Sequence, residues 1–391
     1  MERIGIYGGT FNPPHLGHIR AAQCAFKALG LTRLLMIPDR IAPHKQLPKD
    51  SPLPEQRMEM LRLAVRDLPG IEVSDLELNR AGVSYTYETV AQVRQQYPEA
   101  KLYLLMGTDM FLTLHNWKNP ELIWQNAVIA GFCRGEKGEK DAMARQKQLL
   151  EDMGARVEQI ENPVTTISSS DLRRMLVFRC ADPFLPDGVG EYICKHGLYG
   201  VTRDYRNLPM EELENVVIGL LKKSRVNHVL GCRDTAVRLA QHWGANVTDA
   251  ARAGILHDIT KAIDGPLQLT LCAEYGTILD DFSVRYPKTL HALTGSLVAE
   301  RIFGENEAVV SAIRHHTTGK ADMCLLEKII YVADYMEPCR DFPGVEKLRE
   351  LAFADIDAAL KLGLEMTLEH LRELGDEVSP ESREALAFLN Q

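Results

Sequence analysis

The sequence predicts two folds in series: α/β over 1–200, built on a doubly wound parallel sheet, then an all-helical region over 201–391. Three observations divide the chain this way. The first half alternates short apolar runs with longer amphipathic ones, a rhythm that indicates strands flanked by helices. The second half loses the short runs and keeps the helical period. Charge divides at the same place. Of 45 basic and 54 acidic side chains, 24 of each lie in 1–200, leaving 21 and 30 in 201–391, so the net charge of −9 resides in the second half.

Taken in order, the apolar run at 3–7 reads as a strand that ends in Gly8-Gly9, with a helix resuming near Gly17. Further strands are expected at 33–38, 101–106, 127–134 and 156–160. A helix follows Ser168-Ser169, residues suited to capping its first N–H groups. Beyond a junction near 197–204 that contains no long flexible linker, helices are expected at 210–223, 227–243, 290–303, 325–336 and 354–374.

Composition narrows the class. Apolar content of 45% with 25% charge is that of an ordinary globular chain. No stretch approaches the roughly 18 uncharged apolar residues of a membrane helix, and the chain opens directly in a strand, so neither a membrane span nor a signal peptide is expected. The eight cysteines are scattered without a C-x-x-C pair, which points to reduced thiols and a cytoplasmic setting. The acidic second half argues against nucleic acid as a partner and is compatible with metal ions. A homo-oligomer stays open.

The stretch Gly8-Gly9-Thr10-Phe11-Asn12-Pro13-Pro14-His15-Leu16-Gly17-His18 carries the most chemistry. Glycines let backbone N–H groups approach phosphate closely. The helix N-terminus beyond them adds partial positive charge, and His15 and His18 can donate to phosphate oxygens. Neither a Walker loop nor a dinucleotide fingerprint is present, because the glycine spacing differs and the P-loop lysine is missing.

This stretch resembles the nucleotidylyltransferase signature G-x-F-x-P-x-H-x-G-H, and Ile167-Ser168-Ser169-Ser170-Asp171-Leu172-Arg173 resembles the superfamily's closing I-S-S-T-x-I-R, with Ser170 in place of Thr. Three more segments resemble the bacterial nicotinate-mononucleotide adenylyltransferases: Pro38 through Pro43-His44-Lys45, Ser84-Tyr85-Thr86-Tyr87-Glu88-Thr89, and Gly107-Thr108-Asp109 through His115-Asn116-Trp117-Lys118. The resemblance covers 1–200 and implies a Rossmann-like nucleotidylyltransferase domain that joins ATP, accompanied by Mg²⁺, to nicotinate mononucleotide. It assigns catalysis to His15, His18, Lys45 and Arg173. Nucleotide and phosphate binding would fall to Gly8, Gly9, Thr10, Phe11, Ser168, Ser169 and Asp109. Trp117 would lie on the pyridine ring, an aromatic face suited to a cationic one, while Thr86 and the backbone near Thr108 would read its carboxylate. Adenylyltransferases for pantetheine phosphate or nicotinamide mononucleotide are the nearest alternatives.

In the second half, His228, His257-Asp258, His291, His315-His316 and Asp334 fall on separate helices. Imidazoles and carboxylates are ligands for first-row transition metals. His257 and Asp258 point about 100° apart on a helix, so both reach one site only if it is large, such as a metal pair that clamps attacking and leaving oxygens. The order H…HD…H…H…D resembles the HD-domain phosphohydrolases. Leu256-His257-Asp258-Ile259-Thr260-Lys261, Arg314-His315-His316-Thr317-Thr318-Gly319 and Ala333-Asp334-Tyr335-Met336-Glu337-Pro338 resemble a narrower group, the symmetric bis(5′-nucleosyl)-tetraphosphatases. The resemblance implies that His228, His257, Asp258, His291, His316 and Asp334 hold two transition metals, iron or manganese, with Asp258 bridging and catalytic. Lys261 and Arg314 would contact phosphate, and a dinucleoside polyphosphate such as diadenosine tetraphosphate would give two ADP. A phosphohydrolase for another nucleotide, or a nucleotide-sensing module, is the alternative for this half.

Overall fold

The computed structural model describes residues 1–41, 47–48, 50–80, 82–133, 138–162 and 167–391. It divides into two units, Met1–Thr202 and Arg203–Gln391.

In the first unit six strands, β1 (Arg3–Gly9), β2 (Arg33–Pro38), β3 (Ile71–Val73), β4 (Lys101–Met106), β5 (Val128–Cys133) and β6 (Val157–Glu161), form one parallel sheet in the order β3-β2-β1-β4-β5-β6. Helices α1 (Leu16–Ala28), α2 (Pro54–Val65), α3 (Thr86–Gln96), α4 (Thr108–Thr113), α5 (Pro120–Asn126), α6 (Glu139–Asp152), α7 (Ser169–Val177) and α8 (Val189–Lys195) complete it. β4 and β5 read as unbroken apolar runs because both faces of a central parallel strand are covered. The pleat sends alternate residues to two cores. Ile4, Ile6, Leu35, Ile37, Leu102 and Leu104 fill one, and Leu34, Met36, Tyr103, Leu105, Ala130 and Phe132 the other. β3 escaped the sequence pattern: three residues at an edge, one of them buried, leave no period to detect.

Strand order reverses between β1 and β4. In such sheets a crevice opens at the carboxyl ends of the strands on either side of the reversal, here just beyond Gly9 and Met106.

The second unit contains helices α9 (Met210–Leu220), α10 (Val226–Trp243), α11 (Val247–Leu256), α12 (Gly265–Glu274), α13 (Asp281–Arg285), α14 (Leu290–Arg301), α15 (Glu307–His315), α16 (Leu325–Met336), α17 (Val345–Ala354), α18 (Ile356–Leu374) and α19 (Pro380–Leu389). Side chains of Asn246, Asp264, Asp280, Asn306, Asp355 and Ser379 accept from first-turn N–H groups and set where six of them start. This cap explains why α18 begins at Ile356 and not at 354. The helix expected over 210–223 stops at Leu220, because Lys223–Arg225 tighten into a 3₁₀ turn that leads into α10. α10 and α11 approach so closely that a Cβ on Gly254 would lie 2.7 Å from Arg233 Cα. The expected fold class, α/β followed by all-α, is the observed one.

Candidate active sites

In the first unit, two cavities meet at the carboxyl ends of β1 and β4. The larger, about 470 Å³, is lined by Gly8, Gly9, Thr10, Phe11, His15, His18, Asp109, Ser168, Ser169 and Arg173, among others. The smaller, about 180 Å³, is lined by Asp39, Glu77, Ser84, Thr86 and Trp117. Gly8, Gly9, Thr10 and Gly107 border both. The Thr108 hydroxyl lies 3.0 Å from the Phe132 carbonyl and within hydrogen-bond reach of Glu139, and Thr108 lines neither cavity, although its neighbours Gly107 and Asp109 do. Lys45 lies outside the described residues.

The loop between β1 and α1 is tightly determined. Phe11 has a left-handed φ of 47°, a conformation held only where the surroundings impose it, and its ring lies 3.2 Å from where a Cβ on Gly9 would stand. A Cβ on Gly17 would lie 2.9 Å from His15 Nδ1. The His15 and His18 rings stack at 3.6 Å. The His15 N–H donates to His18 Nδ1 at 3.3 Å, so neutral His18 carries its proton on Nε2, where it can be donated. Arg173 donates to the Asn12 carbonyl at 2.7 Å and to Ser170 Oγ at 3.0 Å. Burial lowers the Arg173 pKa from its ordinary value. Tyr199 donates to Asn12 Oδ1 at 2.7 Å. Ser168 Oγ accepts from the Asp171 N–H and caps α7, which leaves the α7 N-terminus beside the larger cavity.

Sequence inspection passed over Arg57. It is fully buried on α2 and donates to the carbonyls of Thr10 at 2.5 Å and Asp39 at 2.7 Å, and to Asp39 Oδ1 at 3.2 Å. Asp39 Oδ2 in turn accepts from Thr10 Oγ1 at 2.8 Å. A lone arginine in an amphipathic helix carries no signal of this; the nearby Asp39-Arg40 after a strand could have prompted a search.

In the second unit, His228 on α10, His257 and Asp258 after α11, His291 on α14, His316 after α15 and Asp334 on α16 converge. Asp258 Oδ2 lies 3.5 Å from His228 Nε2 and 3.6 Å from His257 Nε2. Its other oxygen, Oδ1, lies 3.5 Å from His291 Nε2 and 3.9 Å from His316 Nε2. Asp334 Oδ1 is 3.1 Å from His228 Nε2 and 3.8 Å from His257 Nε2. His228, His257 and Asp334 can share one ion, and His257, Asp258 and His316 also form a group. Each Nδ1 is committed outward: His228 donates to Glu337 Oε1 at 3.0 Å, His257 to the Gly254 carbonyl at 2.8 Å, His291 to that of Lys288 at 2.9 Å and His316 to that of Ile313 at 2.6 Å. These bonds place a proton on each Nδ1 and turn each Nε2 inward, the atom that a metal ligand presents. Four imidazoles and two carboxylates are a donor set suited to metal ions. His315 does not join it, donating to the Ser311 carbonyl and facing Glu327.

Electrostatics agree. Burial would raise the Asp258 and Asp334 carboxyls, but the surrounding imidazoles outweigh it, and both stay well below the ordinary range. Burial holds His291 down to about 3 and His316 to about 4, so both are neutral ligands near neutral pH. His228 differs: burial is overcome by Asp258, Asp334 and Glu337, which raise it to about 9, so near neutral pH it carries a second proton that a metal ion would have to displace. Three cations rim the cluster. Lys261 Nζ lies against the His291 ring, 3.0 Å from Nε2 and 3.2 Å from Nδ1, Arg225 pairs with Asp258, and Arg340 pairs with Asp334 at 2.7 Å. Arg225 and Arg340 lie outside the motif segments, whereas Glu337 stands within the segment Ala333–Pro338 with no role assigned to it. Arg314 lines a separate cavity of about 120 Å³ with Leu290 and Thr318.

Residues 6–175 match the cytidylyltransferase-like family and residues 225–339 the HD domain. A Mycoplasma pneumoniae protein named "Probable nicotinate-nucleotide adenylyltransferase/Ap4A hydrolase" is 30% identical over 376 residues, 94% of this chain and 99% of that one. The chain belongs to this family. A "Probable nicotinate-nucleotide adenylyltransferase" of Symbiobacterium thermophilum is 38% identical over 204 residues, 51% of this chain and 96% of its own. The crystal structure of a "predicted HD superfamily hydrolase involved in NAD metabolism" from Clostridium acetobutylicum has 36% identity, covers 47% of this chain and 97% of that one, and gives a TM-score of 0.46. The nicotinate-nucleotide adenylyltransferase/Ap4A hydrolase family thus joins two enzymes in one chain. No helix among the described residues is long and apolar enough to cross a membrane.

Proposed function

We propose that the first unit transfers AMP from ATP to nicotinate mononucleotide, giving the deamido dinucleotide and pyrophosphate. The observation that carries this is the pair of cavities meeting at Gly8–Thr10, one for the triphosphate and one for the pyridine nucleotide. A phosphate oxygen of the mononucleotide forms a bond to the α-phosphorus as the bond to pyrophosphate breaks. The chain positions the reactants and stabilises charge, with no covalent intermediate. His18 Nε2–H and His15 face the transferring phosphate, while Arg173 and the α7 N-terminus hold the leaving phosphates. Lys45 is the further cation that the motif supplies. Trp117 lies on the pyridine ring, and Thr86 receives its carboxylate. Mg²⁺ bound to ATP shields the triphosphate. Turnover of nicotinate mononucleotide well above that of its amide supports this assignment; equal turnover removes it.

The second unit hydrolyses diadenosine tetraphosphate symmetrically to two ADP. Asp258 carries this assignment, because each of its oxygens faces a different pair of imidazole nitrogens. Iron or manganese held by the six ligands supplies Lewis acidity and neutralises phosphate charge. Lys261, Arg225 and Arg340 sit where polyphosphate oxygens would be bound. With Fe²⁺ or Mn²⁺ added, the expected product is ADP alone, abolished in Asp258→Ala. ATP plus AMP would place the cleavage at another phosphorus. No cleavage would favour a different phosphorylated nucleotide or a sensing role.

A further inference from the structure

We propose that the two metal positions of the second unit are unequal by construction, with the one formed by His228, His257 and Asp334 filling first. The inference rests on the dinuclear reading above and concerns which residues set the order. Around the first position lie two carboxylates, Asp334 Oδ1 and Asp258 Oδ2, each within 4 Å of imidazole nitrogens. A third, Glu337, lies directly behind His228. Among the four imidazoles, only that of His228 donates its Nδ1–H to a carboxylate; the others donate to backbone carbonyls. A carboxylate behind a ligating imidazole raises its basicity and its affinity for a cation.

Glu337 is held for this task. It is 1% exposed. Its Oε1 accepts from His228, and its Oε2 accepts from the Cys339 N–H at 2.7 Å. Both oxygens must therefore accept, a demand that a carboxylate meets and an amide does not. Space is reserved for it as well. A Cβ on Gly231, one turn beyond His228 on α10, would lie 2.6 Å from Glu337 Oε2.

The second position is built differently. His291 and His316 face a single carboxylate oxygen there, Asp258 Oδ1, and Lys261 Nζ lies against the His291 ring, 3.0 Å from Nε2 and 3.2 Å from Nδ1. An ion entering there meets the charge of that ammonium group. Glu337 strengthens one position while Lys261 weakens the other. Glu337 is a positioning residue, acting through His228.

The test is titration of the chelator-treated full chain with Mn²⁺ alone, followed by calorimetry and by the electron paramagnetic resonance of free and bound Mn²⁺. Wild type is expected to bind two ions with clearly separated constants. Glu337→Gln weakens the tighter constant about 10- to 100-fold and leaves the weaker one in place. Gly231→Ala, which keeps the charge but displaces it, does the same to a smaller degree. Lys261→Met tightens the weaker constant, an effect that misfolding cannot produce. Two equal constants in wild type, or a Glu337→Gln loss confined to the weaker ion, overturn the order while keeping a dinuclear site. Binding of a single ion overturns the dinuclear reading itself.

Discussion

Replacing Arg57 by methionine keeps most of the side-chain volume and removes three hydrogen bonds that converge on the loop after β1. Arg57 is fully buried, and its partners are the Thr10 carbonyl, the Asp39 carbonyl and Asp39 Oδ1. Breaking a buried ion pair from one side costs about 3–5 kcal/mol, because the remaining charge is stranded. The Asp39 side chain is 12% exposed, so water relieves part of that and the lower end, about 3 kcal/mol, is expected. For a unit of this size each kcal/mol moves Tm by about 2–4 °C, giving a fall of roughly 6–12 °C. Thr10 and Gly9 border both cavities, so the KM values for ATP and for nicotinate mononucleotide should rise together. The assays are thermal unfolding of the full chain followed by adenylyl-transfer kinetics. Adding Asp39→Asn should recover part of the stability, since removing both partners costs less than stranding one. A Tm fall under 3 °C with unchanged kinetics would refute the assignment of Arg57 as the clamp of the phosphate loop.

Three further outcomes are expected. Gly17→Ala drives a Cβ to 2.9 Å from His15 Nδ1, displacing a ring that lines the larger cavity; kcat should drop by up to about 100-fold with little change in far-UV circular dichroism. Arg173→Lys should not restore what Arg173→Ala loses in kcat/KM, because one planar fork now reaches both the Asn12 carbonyl and Ser170; full rescue by lysine would show that charge alone suffices. In the second unit, burial would raise the Glu327 carboxyl above its ordinary value of 4.5, but His315, Lys320, Ser311 and the Cys324 N–H outweigh it and hold it far below. Its folded pKa is thus depressed, and its contribution is present above about pH 4.5 and lost as pH falls beneath it. Acid titration of stability should therefore be steep below pH 4.5 in wild type and shallower in Glu327→Gln, and identical slopes would remove Glu327 from the acid response.

The strands at 33–38 and 101–106 and the helix at 325–336 were legible to the residue, because burial on both faces or along one stripe prints a period on the sequence. β3 was not, since three residues at an edge print none. Element ends shifted by one to three residues where a cap or a 3₁₀ turn decided them, as at Asp355 and Lys223. His15 and His18 were visible because they stand at a short spacing after a glycine turn, and the histidines of the second half because their order along the chain follows a motif. Arg57 and Arg225 were not, since each is an ordinary charged residue whose partner lies on another segment; Glu337 stood within a motif segment, but its contact with His228 lies 109 residues away.

By itself the sequence determined the fold class of each half and the types of chemistry available to them: a glycine turn with two imidazoles after a strand, and imidazoles with carboxylates on successive helices. Both are local properties, set by periodicity and by residue type. Only the tertiary structure decided how those groups face one another. It brought Glu337 to His228 across 109 residues of chain and turned the two oxygens of Asp258 toward different imidazoles. It also left the hydroxyl of Thr108 bonded to Phe132 and outside the cavities that its neighbours line. Such pairings depend on helix crossings and side-chain directions at long sequence separation, where no repeat or spacing records them.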